Sequence, residues 1–249
     1  MTLLEAFSFP DSCLVDQKIP KKLYYENVFM NISQKKLLKD ELESLTFVYN
    51  IAPSTINIPQ FISDDYHYDN IAVITATLRS PKYASVLSEL IHKVPYPVVL
   101  IMNHGIQTLL SLAPKRINRA DNTKRTIESI INTAWLDTQA YSEHEKLFLE
   151  SLECSKLPFE NLYKLYEAII SRITALQSSE YISSFVISED APKQRLRLEQ
   201  ISSLQSRIIE LRNRLKKSDQ FNEKMQLNIE IKELEKQMEL EKQGLLWKN

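Results

Sequence analysis

The sequence predicts an α/β (α+β) protein: a small mixed sheet with flanking helices, then a helical segment and a C-terminal antiparallel coiled-coil hairpin. Three observations carry that expectation. Two short apolar runs, IAVITATL at 71–78 and VVLIM at 98–102, bracket a stretch of helical spacing, which is the pattern of buried strands around a helix. Beyond Pro192 no proline or glycine occurs before Gly244. Within that stretch, leucine and isoleucine recur in steps of three and four. The expected divisions are an α/β domain over 1–140, a helical segment and connector over 141–187, and a coiled-coil arm over 188–249.

Residues 1–30, with FSFPDS and KIPKKLYYENVF, read as an irregular aromatic- and proline-rich segment packed on a core. Ser33 has the side chain of an N-cap. After it Leu38, Leu42 and Leu45 recur at helical spacing, with Leu37 and Val48 widening the stripe. That helix is expected to end before IAPSTINIP, where Pro53 and Pro59 break it. After the strand at 71–78, Ser80-Pro81 opens a helix with Tyr83, Val86, Leu87, Leu90 and Ile91 on its apolar face. Pro95 and Pro97 close it before the second strand. Asn103-His104-Gly105 has the composition of a hairpin turn into a third strand, IQTLLSLA. A basic loop, PKRINRADNTKR, leads to a weaker strand around TIESII, which makes the order α-β-α-β-β-β. Helix is expected again within 143–178. Its best part runs from Phe159 to Gln177, where Leu162, Leu165, Tyr166, Ile169, Ile170 and Ile173 share one side. SSEYISSFVISEDAP is a polar connector.

In the arm, one apolar seam runs Leu198, Ile201, Leu204, Ile208, Leu211 and Leu215; a second runs Leu227, Ile231, Leu234 and Met238. The second is displaced two positions from the register of the first, with the polar segment KKSDQFN between them. Two antiparallel helices explain the displacement. A continuous helix with a stutter, pairing with another copy of the chain, is the alternative. The first half of the arm carries eight basic residues against Glu199 and Glu210, a net of +6. Arg195, Arg197, Arg207, Arg212, Arg214, Lys216 and Lys217 are therefore candidate contacts to a phosphate backbone. The competing reading is a solvated helix whose arginines pair with glutamates on the adjoining one. The loop with Lys115, Arg116, Arg119, Lys124 and Arg125 is a second basic cluster with the same two readings.

The totals exclude several classes. Basic and acidic residues number 31 and 32, so no global electrostatic pull on nucleic acid exists. Only Gly105 and Gly244 are glycine, and neither a P-loop nor a dinucleotide fingerprint nor a nucleophile elbow fits around them. Cys13 and Cys154 match no metal or redox spacing. No signal-peptide pattern and no membrane-length apolar run are read, and the cytoplasm is the expected location. His67, His92, His104 and His144 form no HxxxH or HExxH pair. Asp64, Asp65 and Asp69 precede a strand as metal-nuclease ligands do, yet that strand alternates Thr75, Thr77 and Arg79 where such a site wants a further acid and a lysine. No catalytic residue, metal or cofactor is assigned.

Six pieces follow one another along the chain in a recognisable order: FPDSCLVDQKIPKKLYYENV at 9–28, VYNIAPSTINIP at 48–59, VPYPVVLIM at 94–102, PKR at 114–116, Thr-Ala-Trp-Leu at 133–136 and QFNEKMQLNIEIKEL at 220–234. In these pieces the chain resembles the bacterial family known as domain of unknown function 4391. The resemblance implies a setting more than a reaction: companions of helicases and DNA methyltransferases in restriction-like anti-phage defence clusters. It leads to the expectation of a non-catalytic accessory subunit that docks on a helicase or another defence-complex subunit and contacts DNA through the basic arm. A divergent Mg-dependent nuclease and a stand-alone DNA-binding module are the alternatives.

Overall fold

The computed structural model describes residues 1–118 and 121–246. The chain divides into two compact units, Met1–Ile173 and a second that begins at Thr174.

The first unit opens with α1 (Leu3–Phe7), β1 (Leu14–Lys18), α2 (Lys21–Asn27), α3 (Ile32–Glu41), β2 (Leu42–Ile51) and α4 (Pro53–Ile56). A two-residue pair, β3 (Phe61–Ile62) and β4 (His67–Tyr68), precedes β5 (Ile71–Leu78), α5 (Ala84–His92) and β6 (Val98–His104). Then come β7 (Gln107–Leu112), β8 (Lys115–Asn118), β9 (Asp121–Ile127), β10 (Ile131–Asn132), β11 (Leu136–Asp137), α6 (Glu143–Ser151) and the first half of α7 (Leu162–Ile182). The main sheet runs β1-β2-β5-β6-β7, with β10 and β11 both on β7. Among the described residues only β5 and β6 pair in parallel. A parallel pair needs a long crossover, and α5 supplies it. Gly105, at φ 56°, is the first residue of the two-residue β6–β7 loop, the position type II′ turns reserve for glycine.

Alternate residues of β5 (Ala72, Ile74, Ala76, Leu78) pack with Leu87, Leu90 and Ile91 of α5 and with Leu38, Leu42 and Leu45 in one core. Leu100 and Met102 of β6 join it. α7 is tied to the sheet by Tyr166, whose buried hydroxyl donates to the Val98 carbonyl at 2.9 Å and accepts from the Ala113 amide at 2.8 Å.

The mixed sheet, α5 and the C-terminal helices match expectation. The helix expected from Ser33 to about Val48 does not. It ends at Glu41 and continues as β2, and its N-cap is Asn31, boxed with Gln34. The cause is visible in the register. Between Leu42 and Ser44, and again between Phe47 and Tyr49, β2 holds one residue with no partner on β5. Each bulge resets the alternation of faces. Burial then recurs at 42, 45, 48 and 51, a spacing that imitates a helix. The basic loop is likewise a β-hairpin, β8–β9, closed by pairs from Lys115–Ile127 to Asn118–Asp121.

The second unit holds the end of α7, α8 (Ala191–Lys217) and α9 (Phe221–Leu246). Asp190 caps α8 by accepting from the Lys193 amide. α8 and α9 form an antiparallel hairpin turned at 218–220, its core made by Ile208, Leu211, Leu227 and Ile231, with Leu215, Leu234 and Met238 against them. A Cβ on Gly244 would lie 1.9 Å from the Arg197 guanidinium, so glycine there leaves room for that side chain. Among the described residues no helix is long and apolar enough to cross a membrane.

Candidate functional site

The aspartates do not assemble a metal centre. Asp64 and Asp65 lie in the turn between β3 and β4, and the Asp69 carboxylate sits 3.3 Å from His67 Nε2. Among the described residues no group of three histidine, cysteine, aspartate or glutamate side chains stands close enough to hold a metal ion. The fold does join residues that the sequence keeps far apart: Ser111 Oγ lies 2.7 Å from Ser88 Oγ and 2.9 Å from His92 Nε2. A serine beside a histidine is nucleophile chemistry in outline. All three are fully buried, so in this fold no substrate reaches them. Burial, aided by Lys115, also lowers His92 to a pKa of about 3, which keeps the ring neutral. This group is a polar tie between α5 and β7.

The basic residues fall into three environments. In the arm, most of the arginines face glutamates. Arg197 meets Glu241 at 2.9 Å, Arg207 meets Glu210 at 2.9 Å and Glu230 at 3.1 Å, Arg212 meets Glu235 at 2.6 Å, and Arg214 meets Glu223 at 3.8 Å. Except for the contact within α8 to Glu210, these pairs link α8 to α9. Arg195, near the N-terminus of α8, lies on the same helix. Lys216 and Lys217 are exposed in the last turn, where their charge answers the negative end of the helix. In the β8–β9 hairpin Arg116 is exposed, Lys124 pairs with Asp121 at 2.9 Å, and Arg125 is half-buried; Arg119 lies outside the described residues.

Lys115 departs from its expected place on a surface loop. It is 3 % exposed, and its ammonium donates to the Val94 and Tyr96 carbonyls, each at 2.6 Å. Two neutral acceptors do not replace bulk water around a full charge, and burial lowers its pKa to about 7. Lys115 therefore braces the α5–β6 loop and is withdrawn from any phosphate contact.

That loop forms one wall of a feature the sequence reading missed. A half-open cleft of about 390 Å³ lies between the end of β1, α2 and residues 93–96, floored by Tyr24, Val28, Phe47, Ile74 and Val94. Burial holds the Tyr24 phenol above its ordinary range. Lys18 and Lys93 are exposed members of the same lining. The chain that follows exposes Phe29 at 92 % and Ile32 at 89 %, and Leu23 of the lining at 48 %. Phe29 directly follows the lining residue Val28 in sequence, and Ile32 opens α3. The available clue was the density of aromatics and lysines in KIPKKLYYENVFMNIS, read instead as core-packed chain.

Residues 7–238 match the family described as "Domain of unknown function (DUF4391)". The chain belongs to the DUF4391 family. Among curated proteins and among solved structures, none matches it. The DUF4391 match spans both units, cleft and arm alike, and its span begins before β1 and ends within α9.

Proposed function

We propose that this DUF4391 chain is a non-catalytic accessory subunit that docks on a helicase-type partner in a bacterial DNA-targeting, restriction-like defence complex in the cytoplasm. The observation that carries the docking half is the apolar cleft itself, with Leu23 exposed in its lining and Phe29 and Ile32 exposed in the chain that follows. Desolvating apolar surface is the main favourable term in protein association, and a partner gains it here at no folding cost. The defence setting is supported by the family resemblance alone. Co-expression with the proteins encoded beside its gene, followed by affinity purification, tests both halves. A helicase-type protein is expected to co-purify with the parent chain and to be lost with Phe29→Asp/Ile32→Asp. Retention by the double variant sinks this docking surface, and absence of any such protein sinks the setting.

DNA contact is the second reading. Because Arg197, Arg207, Arg212 and Arg214 already face glutamates, it falls mainly to Lys216, Lys217 and Arg116, for which no ion pair exists among the described residues. Each neutralised phosphate steepens the salt dependence of binding by about one unit of slope. Reversal of Lys216 and Lys217 to glutamate is expected to lower that slope in a duplex-binding titration. An unchanged slope removes this end of the arm from consideration.

A further inference from the structure

We infer that the cleft beside β1 receives an acidic, amphipathic protein segment that inserts apolar side chains between α2 and the α5–β6 loop. The inference rests on the docking reading above and specifies the chemistry of what docks.

The charge of the cleft lining is one-sided: among the described residues it holds Lys18 and no acidic side chain. The flanking chain from Asp16 to Glu43 is close to balanced, six lysines against Asp16, Glu26, Asp40, Glu41 and Glu43, a net of +1. Lys22 meets Glu26 at 3.7 Å, and both are well exposed. Partial burial and then the Arg79 charge lower the Lys21 pKa, against the opposing pull of Asp40 and Glu43. Lys93 adds a further cation on the opposite wall. An occupant with acidic residues flanking its apolar anchors satisfies both properties of this surface, and a basic occupant is repelled.

The shape narrows the occupant further. A cavity of roughly 150 Å³ takes one benzene ring, so the observed volume suits about two bulky side chains. Strand addition along β1 is disfavoured. Its ladder with β2 is interrupted between Leu14 and Gln17, and Asp16 adopts φ 46° there, so β1 does not present an even row of donors and acceptors. What remains is insertion of side chains from a helix or turn, with Phe29 and Ile32 reaching toward the partner in return.

Fluorescence polarisation of the full chain tests this with two fluorescein-labelled peptides. Both carry the same leucine and phenylalanine anchors at helical spacing, one among glutamates and the other among lysines. The glutamate peptide is expected to bind, with affinity that falls as salt rises, and the lysine peptide to bind at least about tenfold more weakly. Lys18→Glu/Lys93→Glu is expected to reverse the preference, and Phe29→Ser/Ile32→Ser to weaken the glutamate peptide with the circular-dichroism spectrum unchanged. Equal binding of the two peptides, or a preference that survives charge reversal, overturns the inference. Binding of phosphatidylserine vesicles without binding of the glutamate peptide overturns it as well. The two readings fail separately. Loss of the helicase-type partner from Phe29→Asp/Ile32→Asp without peptide preference leaves docking intact and removes its acidic chemistry. Peptide preference with an undisturbed complex supports the chemistry and removes this cleft as the helicase contact.

Discussion

Lys115 and His92 are buried bases whose lowered pKa values make stability depend on pH, and both act in the same direction. Lys115 has a folded pKa of about 7, below its ordinary value of 10.5, so unfolding takes up a proton anywhere between those limits. Its contribution is complete above the upper limit and lost as pH falls through the lower one. Stability is therefore expected to rise with pH across this window, by roughly 1.4 kcal/mol per pH unit where the difference in protonation is full. Near pH 10 the buried tyrosines Tyr24, Tyr68 and Tyr166, whose values burial pushes up, begin to oppose it. Urea denaturation at about pH 7.5 and about pH 9.5 measures the slope, and Lys115→Met is expected to abolish it. A slope that persists in the methionine variant assigns the proton elsewhere. For His92 the window is lower: its contribution is complete above about 6.5 and lost as pH falls toward about 3.

At the scale of elements, the arm hairpin offers a test of how much its ion pairs hold. The Arg197–Glu241 pair is the most sheltered, with both side chains 29 % exposed. A double-mutant cycle with alanine at the two positions is expected to give a coupling of up to about 1 kcal/mol that shrinks as salt is added. A salt-independent coupling would point to packing of the arginine stem instead of charge. The apolar seam matters more: Leu211→Ala, at a fully buried position, is expected to cost about 2–5 kcal/mol of the unfolding free energy of this unit. The seam was legible because Ile208, Leu211 and Leu215 on α8, and Leu227, Ile231, Leu234 and Met238 on α9, recur in steps of three and four, and so was the turn, because the register slips beside KKSDQFN. β2 was illegible for the converse reason. Its two bulges space burial by three, and period outweighed composition even though Thr46, Phe47, Val48, Tyr49 and Ile51 all favour strands. The cleft was illegible for another reason. Lys18, Tyr24, Phe47, Ile74 and Tyr96 are distant in sequence, and only the pairing of β1, β2 and β5 gathers them.

For the molecule as a whole, the break in regular structure inside the second unit predicts where the chain is cut. Between α7 and α8, residues 183–190 hold no helix or strand, and Ser183 adopts φ 52°. Limited proteolysis is expected to cleave there first and to leave the sheet unit as a resistant fragment, because its backbone groups are paired and this stretch is not in regular structure. First cuts inside β5 or β6 would contradict that order. The hairpin carries one more consequence, for self-association. Tethered by residues 218–220, α9 is held against α8 at an effective concentration in the millimolar range, far above that of a free second copy at micromolar levels. A second chain gains nothing by competing for the same seam unless the turn opens and the two copies exchange α9. The exchanged dimer makes the same contacts as two closed monomers, so mass action alone divides them: dilution favours the closed arm, and crowding of copies on a shared scaffold favours exchange.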